Sequence, residues 1–187
     1  MNNIKDFSLA VCDELRSTLA GVKDDQVRTL FDGIMSRRDR QIFVCGAGRC
    51  QYMLRAFCMR LMHLDFKAHV VGDTTSPCIN SGDLLILADG AGGLTTISAV
   101  AQLAKNCGAE IAFLTIVPDS LIGRQADIII KIPGRTAAAG GIGKSIQPGG
   151  GRFEQSLLIL LDSVIAAIVD ELGLDRNAPF ARHANLE

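Results

Sequence analysis

The order of apolar and polar residues divides the chain into two styles of repeat. Over 4–20 the apolar positions Ile4, Phe7, Val11, Leu15 and Leu19 recur every three or four residues, the spacing that keeps one face of an α-helix apolar. Val27, Leu30, Ile34 and Met35 repeat that spacing over 24–36, so two amphipathic helices open the chain, with Gly21 as the break. From residue 41 the style changes. Short, nearly continuous apolar runs occupy 41–45, 68–71, 84–88, 111–116 and 128–132, as expected of strands covered on both faces. Helical segments alternate with them at 49–64, at 95–106, in a short piece at 119–125 and in a long one at 153–172. This alternation predicts a doubly wound α/β layer fold around a parallel sheet, with right-handed crossovers.

Residues 134–151 fit neither style. They are rich in Gly and poor in large apolar groups, which predicts a long loop, either functional or a plain connection from the last strand to the last helix. At 187 residues with no internal repeat or dividing linker, the chain reads as one domain. Its N-terminal helices fill 1–37, and a tail follows the last helix over 175–187.

Composition narrows the function classes. At 48% hydrophobic the chain can bury a real core, and 19 Lys plus Arg against 20 Asp plus Glu leave a net charge of −1. That balance argues against a nucleic-acid binder, which carries a basic face, and against a basic membrane-surface helix. No apolar run approaches the ~18 residues of a membrane span. Lys5, Asp6, Asp13, Glu14 and Arg16 are wrong for a signal peptide, so the expected location is the cytoplasm. The six cysteines, Cys12, Cys45, Cys50, Cys58, Cys78 and Cys107, form no C-x-x-C pair and read as reduced, mostly buried thiols. Cys50 is the exception, since it falls in a glycine-flanked turn.

Open α/β sheets bind ligands at the carboxyl ends of their strands, and two strands here end in glycine-rich turns. Gly46-Ala47-Gly48-Arg49-Cys50 follows the first, and Asp89-Gly90-Ala91-Gly92-Gly93-Leu94-Thr95 follows the third. Glycines let backbone N–H groups approach an anion, and the next helix adds positive charge at its N-terminus. Arg49 can add a forked phosphate contact. A dinucleotide site ranks low, because Gln51 stands where a third glycine belongs, and Gly143-Lys144-Ser145 follows no strand. Either turn alone could be a plain tight turn; two on neighbouring strands argue for a binding site. For proton transfer, Glu154 opens the last long helix, as a helix-dipole partner or as a base. His63 and His69 read as structural. His183 lies in the tail, where it is either solvated or catalytic.

Longer stretches carry a family resemblance. They are Gly46-Ala47-Gly48-Arg49, Arg55-Ala56-Phe57-Cys58-Met59-Arg60-Leu61-Met62-His63-Leu64, Val70-Val71-Gly72-Asp73-Thr74-Thr75-Ser76-Pro77, Gly82-Asp83-Leu84-Leu85 and Ile122-Gly123-Arg124-Gln125-Ala126-Asp127. Ile146-Gln147-Pro148, Phe153-Glu154-Gln155-Ser156 and the closing Arg182-His183-Ala184-Asn185-Leu186-Glu187 complete the set. Together they resemble the 6-phospho-3-hexuloisomerases of the sugar isomerase (SIS) domain superfamily, over nearly the whole chain. The resemblance implies a three-layer fold, a five-stranded parallel sheet flanked by helices, assembled as a homotetramer. It implies interconversion of 3-hexulose 6-phosphate and fructose 6-phosphate through an enediol, an aldose–ketose-type proton shuffle without metal or cofactor. Glu154 would be the base, and His183, reaching a neighbouring subunit's site, would assist at the oxygens. The sugar phosphate would lie against Gly46, Gly48, Arg49 and Cys50 and against the turn Asp89, Gly90, Ala91, Gly92, Gly93, Leu94 and Thr95.

The sequence also departs from that family. Asp89-Gly90-Ala91-Gly92-Gly93-Leu94 stands where the family carries Ser-Gly-Ser-Gly-acid-Thr, Cys50 replaces a Ser, and Gly149-Gly150-Gly151-Arg152 replaces Met-Gly-Ser/Thr. Three phosphate-binding hydroxyls are gone, and a carboxylate stands beside an expected dianion, with Arg49 or Arg152 as its expected partner. Two readings follow: an active phosphosugar isomerase with a rebuilt phosphate site, or a repurposed SIS-domain protein that binds another sugar derivative.

Overall fold

The computed structural model describes residues 3–134, 145–175, 177 and 182–186. Helix α1 (Ile4–Ala20) opens on a capping box, the Asn3 Oδ1 accepting the Asp6 N–H at 2.9 Å and the Asp6 carboxylate accepting the Asn3 N–H at 3.3 Å. Helix α2 (Asp24–Met35) places Asp24 and Asp25 in its first turn, where negative charge meets the positive helix end. The strands are β1 (Gln41–Gly46), β2 (Lys67–Val70), β3 (Leu84–Ala88), β4 (Glu110–Thr115) and β5 (Ile128–Lys131). They form one parallel sheet in the order β2-β1-β3-β4-β5. Helices α3 (Gly48–His63), α4 (Thr95–Asn106) and α5 (Gly151–Glu171) connect and close the layers. The expected elements are present with ends shifted by two residues at most, except the 119–125 piece. There a single 3-10 turn forms over Gly123–Gln125, packed so tightly that a side chain at Gly123 would collide with the Pro118 carbonyl.

Alternate residues of each strand feed two separate cores. Ile42, Val44, Leu84, Ile86, Ala112 and Leu114 pack with α2, α3 and α5, and α1 lies outside against α5. Phe43, Cys45, Leu85, Leu87, Ile111 and Phe113 pack with Ile97, Ala101 and Ala104 of α4. Three layers result, thick on one face and thin on the other.

Two expectations need correction. The apolar stripe of α1 is only partly used: Leu15 is buried, whereas Ile4 is 86% exposed and Phe7 49%, because α1 meets α5 along only part of its length. The cysteines divide evenly: Cys45, Cys50 and Cys58 are buried, while Cys12, Cys78 and Cys107 are exposed, all six as free thiols. Most of the expected loop at 134–151, residues 135–144, lies outside the described residues, as do 176, 178–181 and 187 of the expected tail.

Candidate active site

The two glycine turns are neighbours because β1 and β3 are paired, with Gly46 opposite Ala88. Adjacent strands lie about 4.8 Å apart, so both turns open on one edge of the sheet. Gly46 is there by necessity. A Cβ would stand 3.1 Å from the Gln51 nitrogen and 3.2 Å from the Ala88 carbonyl oxygen, and the Gly46 N–H donates to Gln51 Oε1 at 2.7 Å. In the second turn Gly92 has φ +70°, and a Cβ would stand 2.6 Å from the Ser120 side chain, so only glycine fits.

The first turn of α5 reaches the same place. A Cβ on Gly90 would lie 3.2 Å from the Phe153 ring, so the β3–α4 turn rests against the residue before Glu154. The Glu154 side chain is 16% exposed, and its Oε2 lies 3.0 Å from Arg49 Nε, a close ion pair that falls short of an aligned hydrogen bond. Arg49 itself is 55% exposed. The structure therefore brings together Gly46, Gly48, Arg49, Cys50, the 89–95 turn and Glu154.

Asp89 does not take the partner expected of it. Arg49 pairs with Glu154, and the Arg152 charge acts on Glu14. Asp89 is 4% exposed; its Oδ1 accepts the Ala91 N–H and its Oδ2 the Leu94 N–H, each at 3.0 Å. Its negative charge is thus balanced by amides of its own turn, which an incoming anion would otherwise meet.

Cys50 is likewise corrected. It lies inside the first turn of α3 and is buried, not displayed on a loop. Burial first, then the nearby Glu154 and Asp89 charges, push its thiol up to about 11, against a hydrogen bond with the Gly90 backbone that pulls it down. A thiol so placed is a poor nucleophile.

His183 stands elsewhere. Its ring lies 5.5 Å from that of His63, and Arg182 pairs with Asp65 just past the end of α3. Glu154 meets the opposite end of that helix, at Arg49. Sixteen residues of helix span about 22 Å at 1.5 Å per residue, so one chain cannot bring its own Glu154 and His183 to one substrate in this arrangement. The His69 Nε2–H donates to Gln41 Oε1 at 2.7 Å, and the His69 pKa is lowered by burial, in keeping with a structural role. Among the described residues no three of His, Cys, Asp and Glu gather as metal ligands, and no helix is long and apolar enough to cross a membrane.

Sequence reasoning missed two groups that shape this edge. Gln51 had a signal, a polar side chain in the first turn of a helix that follows a glycine turn. Glu14 had a fainter one, an acid immediately before Leu15 in the apolar stripe of α1.

Comparison with known proteins agrees with this fold. The SIS domain profile matches residues 35–148. A Bacillus subtilis protein named 3-hexulose-6-phosphate isomerase is 40% identical over 97% of this chain and 98% of its own. A Mycobacterium gastri protein of the same name is 39% identical over 95% of this chain and 88% of its own. Among solved structures, a Methanococcus jannaschii protein whose inferred function is 3-hexulose-6-phosphate isomerase superposes with a TM-score of 0.81 at 34% identity, covering 97% of this chain and 99% of that one. On the profile match and these relatives, the chain belongs to the SIS domain family, in the branch of the 6-phospho-3-hexuloisomerases.

Proposed function

We propose that the protein interconverts 3-hexulose 6-phosphate and fructose 6-phosphate by proton transfer through an enediol, with no cofactor. The observation that carries this is the Glu154 carboxylate, largely buried at the carboxyl edge of the sheet beside Arg49 and the glycine turns. In the forward direction Glu154 takes the proton from C2 while the C3 carbonyl oxygen gains one, giving the C2–C3 enediol. The C2 hydroxyl then loses its proton, and Glu154 returns its own to C3. One carboxylate acting on adjacent carbons suffices, because each step uses the conjugate form left by the other. Arg49, with the exposed Thr95 and Thr96 at the start of α4, supplies the phosphate contacts that the missing hydroxyls leave to others. The named relatives favour this reading over that of a repurposed sugar binder.

The proton partner at the oxygens is His183 of a neighbouring copy, since the same chain holds its own at the far end of α3. We read the whole chain as one cytoplasmic domain that works as a homotetramer with shared sites. The apolar groups left at the surface, Ile4 and Phe7 on α1 and Leu103 on α4, suit such an assembly. The test is formation of fructose 6-phosphate from 3-hexulose 6-phosphate by the purified chain, with light scattering alongside. Turnover by a tetramer is the expected result. Absence of turnover above background would sink the isomerase reading, and a monomer would sink the shared site.

A further inference from the structure

The connection between β5 and α5 leads into the turn that carries Glu154, and α1 touches it at both described ends. At the entrance, a Cβ on Gly21, the residue closing α1, would stand 2.9 Å from Pro133 Cγ. At the exit, the Glu14 carboxylate accepts three hydrogen bonds from consecutive residues. Ser145 Oγ donates to Oε2 at 2.8 Å, the Ile146 N–H to Oε1 at 3.0 Å, and Gln147 Nε2 to Oε2 at 3.3 Å. The Gln147 N–H also donates to Ser145 Oγ at 3.1 Å, so the segment is knotted around one carboxylate. Partial burial would raise the Glu14 pKa, but these bonds and the Arg152 charge bring it below its ordinary value, so Glu14 holds the segment as an anion at neutral pH.

The anchored segment bears directly on the helix that carries Glu154. A Cβ on Gly151, the first residue of α5, would stand 2.9 Å from Gln147 Oε1. The Gln147 carboxamide therefore lies between Glu14 and the start of α5, one end donating to the carboxylate and the other against Gly151. In the same turn, Phe153 is seated on Gly90. The first turn of α5 thus meets two other elements, the β3–α4 turn directly and α1 through Gln147.

We infer that Glu14 is a positioning residue, which through Ser145 and Gln147 sets where the first turn of α5 presents Glu154. α1 lies outside the 35–148 segment matched by the SIS profile, so the core of the domain does not supply this support by itself. The inference rests on the isomerase reading for its kinetic consequence, though not for its structural one.

The experiment compares Glu14→Ala and Glu14→Gln with the parent tetramer by amide hydrogen exchange and by steady-state kinetics. In Glu14→Ala, exchange at 145–151 is expected to accelerate on the order of tenfold while the sheet and α3 keep their protection. There kcat should fall on the order of tenfold, with KM within about twofold, as displacement of a reacting group implies. Glu14→Gln keeps an acceptor oxygen for the Ile146 N–H, and its amide N–H can donate to Ser145 Oγ once that hydroxyl turns round, so it should restore most of both. Unchanged exchange at 145–151 in the alanine variant overturns the proposal. So does a loss of kcat that tracks only a lowered Tm, or a glutamine variant no better than alanine. A parent chain without isomerase turnover would count against the isomerase reading alone, the exchange comparison still deciding whether Glu14 anchors the segment.

Discussion

The turn after β1 and the turn after β3 share an edge of the sheet, a register pair and a glycine-rich sequence, yet they handle charge in opposite ways. The first exposes Arg49 at its tip and uses it against Glu154. The second buries its own carboxylate, and Asp89 consumes the N–H groups of Ala91 and Leu94. One turn therefore offers a cation to the site, and the other offers a backbone already occupied by an anion. Glycine content alone would have made the two turns equivalent phosphate cradles. The side chain that closes each turn decides which of them still has a donor to give.

The largest predicted effect breaks the first turn's side of that contrast by removing the group Arg49 is paired with. Glu154→Gln keeps the shape and loses the base, so kcat should fall about 10²–10⁴-fold, the usual worth of a positioned acid–base group. His183→Ala should lower kcat as well, and equimolar mixing of the two inactive variants, with subunit exchange, should restore part of the activity. Restoration requires that some sites draw Glu154 from one copy and His183 from another. Mixtures as inactive as either parent variant would place both residues in one chain's site, contrary to the separation along α3.

Much of this contrast could be read in the sequence, and the reason some could not is physical. The strands were legible because a sheet buried on both faces demands continuous apolar runs such as Leu84–Ala88. The adjacency of the turns was legible because the fold class limits which strands can neighbour one another. The partner of Asp89 was not. Its choice between an arginine and backbone amides depends on turn geometry over five residues, which periodicity does not encode. Cys50 was misplaced for a smaller reason: it reads as part of the glycine turn although the predicted helix already contains it, and there it points inward. Glu14 and Ser145 are 131 residues apart, and no local signal links them. The positions of His183 and Glu154 were legible only as residue types; that they sit at opposite ends of α3 needed the folded chain.

The middle-sized prediction converts the second turn toward the family pattern. Asp89→Ser with Ala91→Ser removes a negative charge beside the proposed phosphate position, frees the Leu94 N–H and adds two hydroxyls. A hydrogen bond to a charged group contributes roughly 1.5–3 kcal/mol, so even one new contact, offset by some loss of turn rigidity, should tighten fructose 6-phosphate binding by about tenfold. Calorimetry reads this directly. Equal affinity in parent and double variant would mean that the phosphate does not lie at this turn. Asp89→Ala is the useful companion, since it removes the charge and frees the Ala91 and Leu94 N–H groups without adding a hydroxyl, and so separates the worth of the new hydroxyls from the rest.

The smallest effect concerns the point where the two turns touch, the Cys50 sulfur against the Gly90 backbone. With its thiol raised to about 11, and those of Cys45 and Cys58 likewise raised to about 11 by burial, none should react with a thiol reagent at pH 8 in the folded protein. Cys12, Cys78 and Cys107 are exposed and should react promptly, three fast thiols against three that wait for unfolding. The same shifts carry a stability consequence of known sign. Each buried thiol keeps its proton in the fold above the pH at which it ionises in the unfolded chain, so its contribution is complete below pH ~9 and is lost as pH rises toward 11, by up to about 1.4 kcal/mol per pH unit per thiol. Cys50→Ser should shrink that alkaline loss and leave neutral-pH turnover within about threefold. A fast fourth thiol that substrate protects would show instead that Cys50 faces the ligand, and that the first turn is more open than its burial implies.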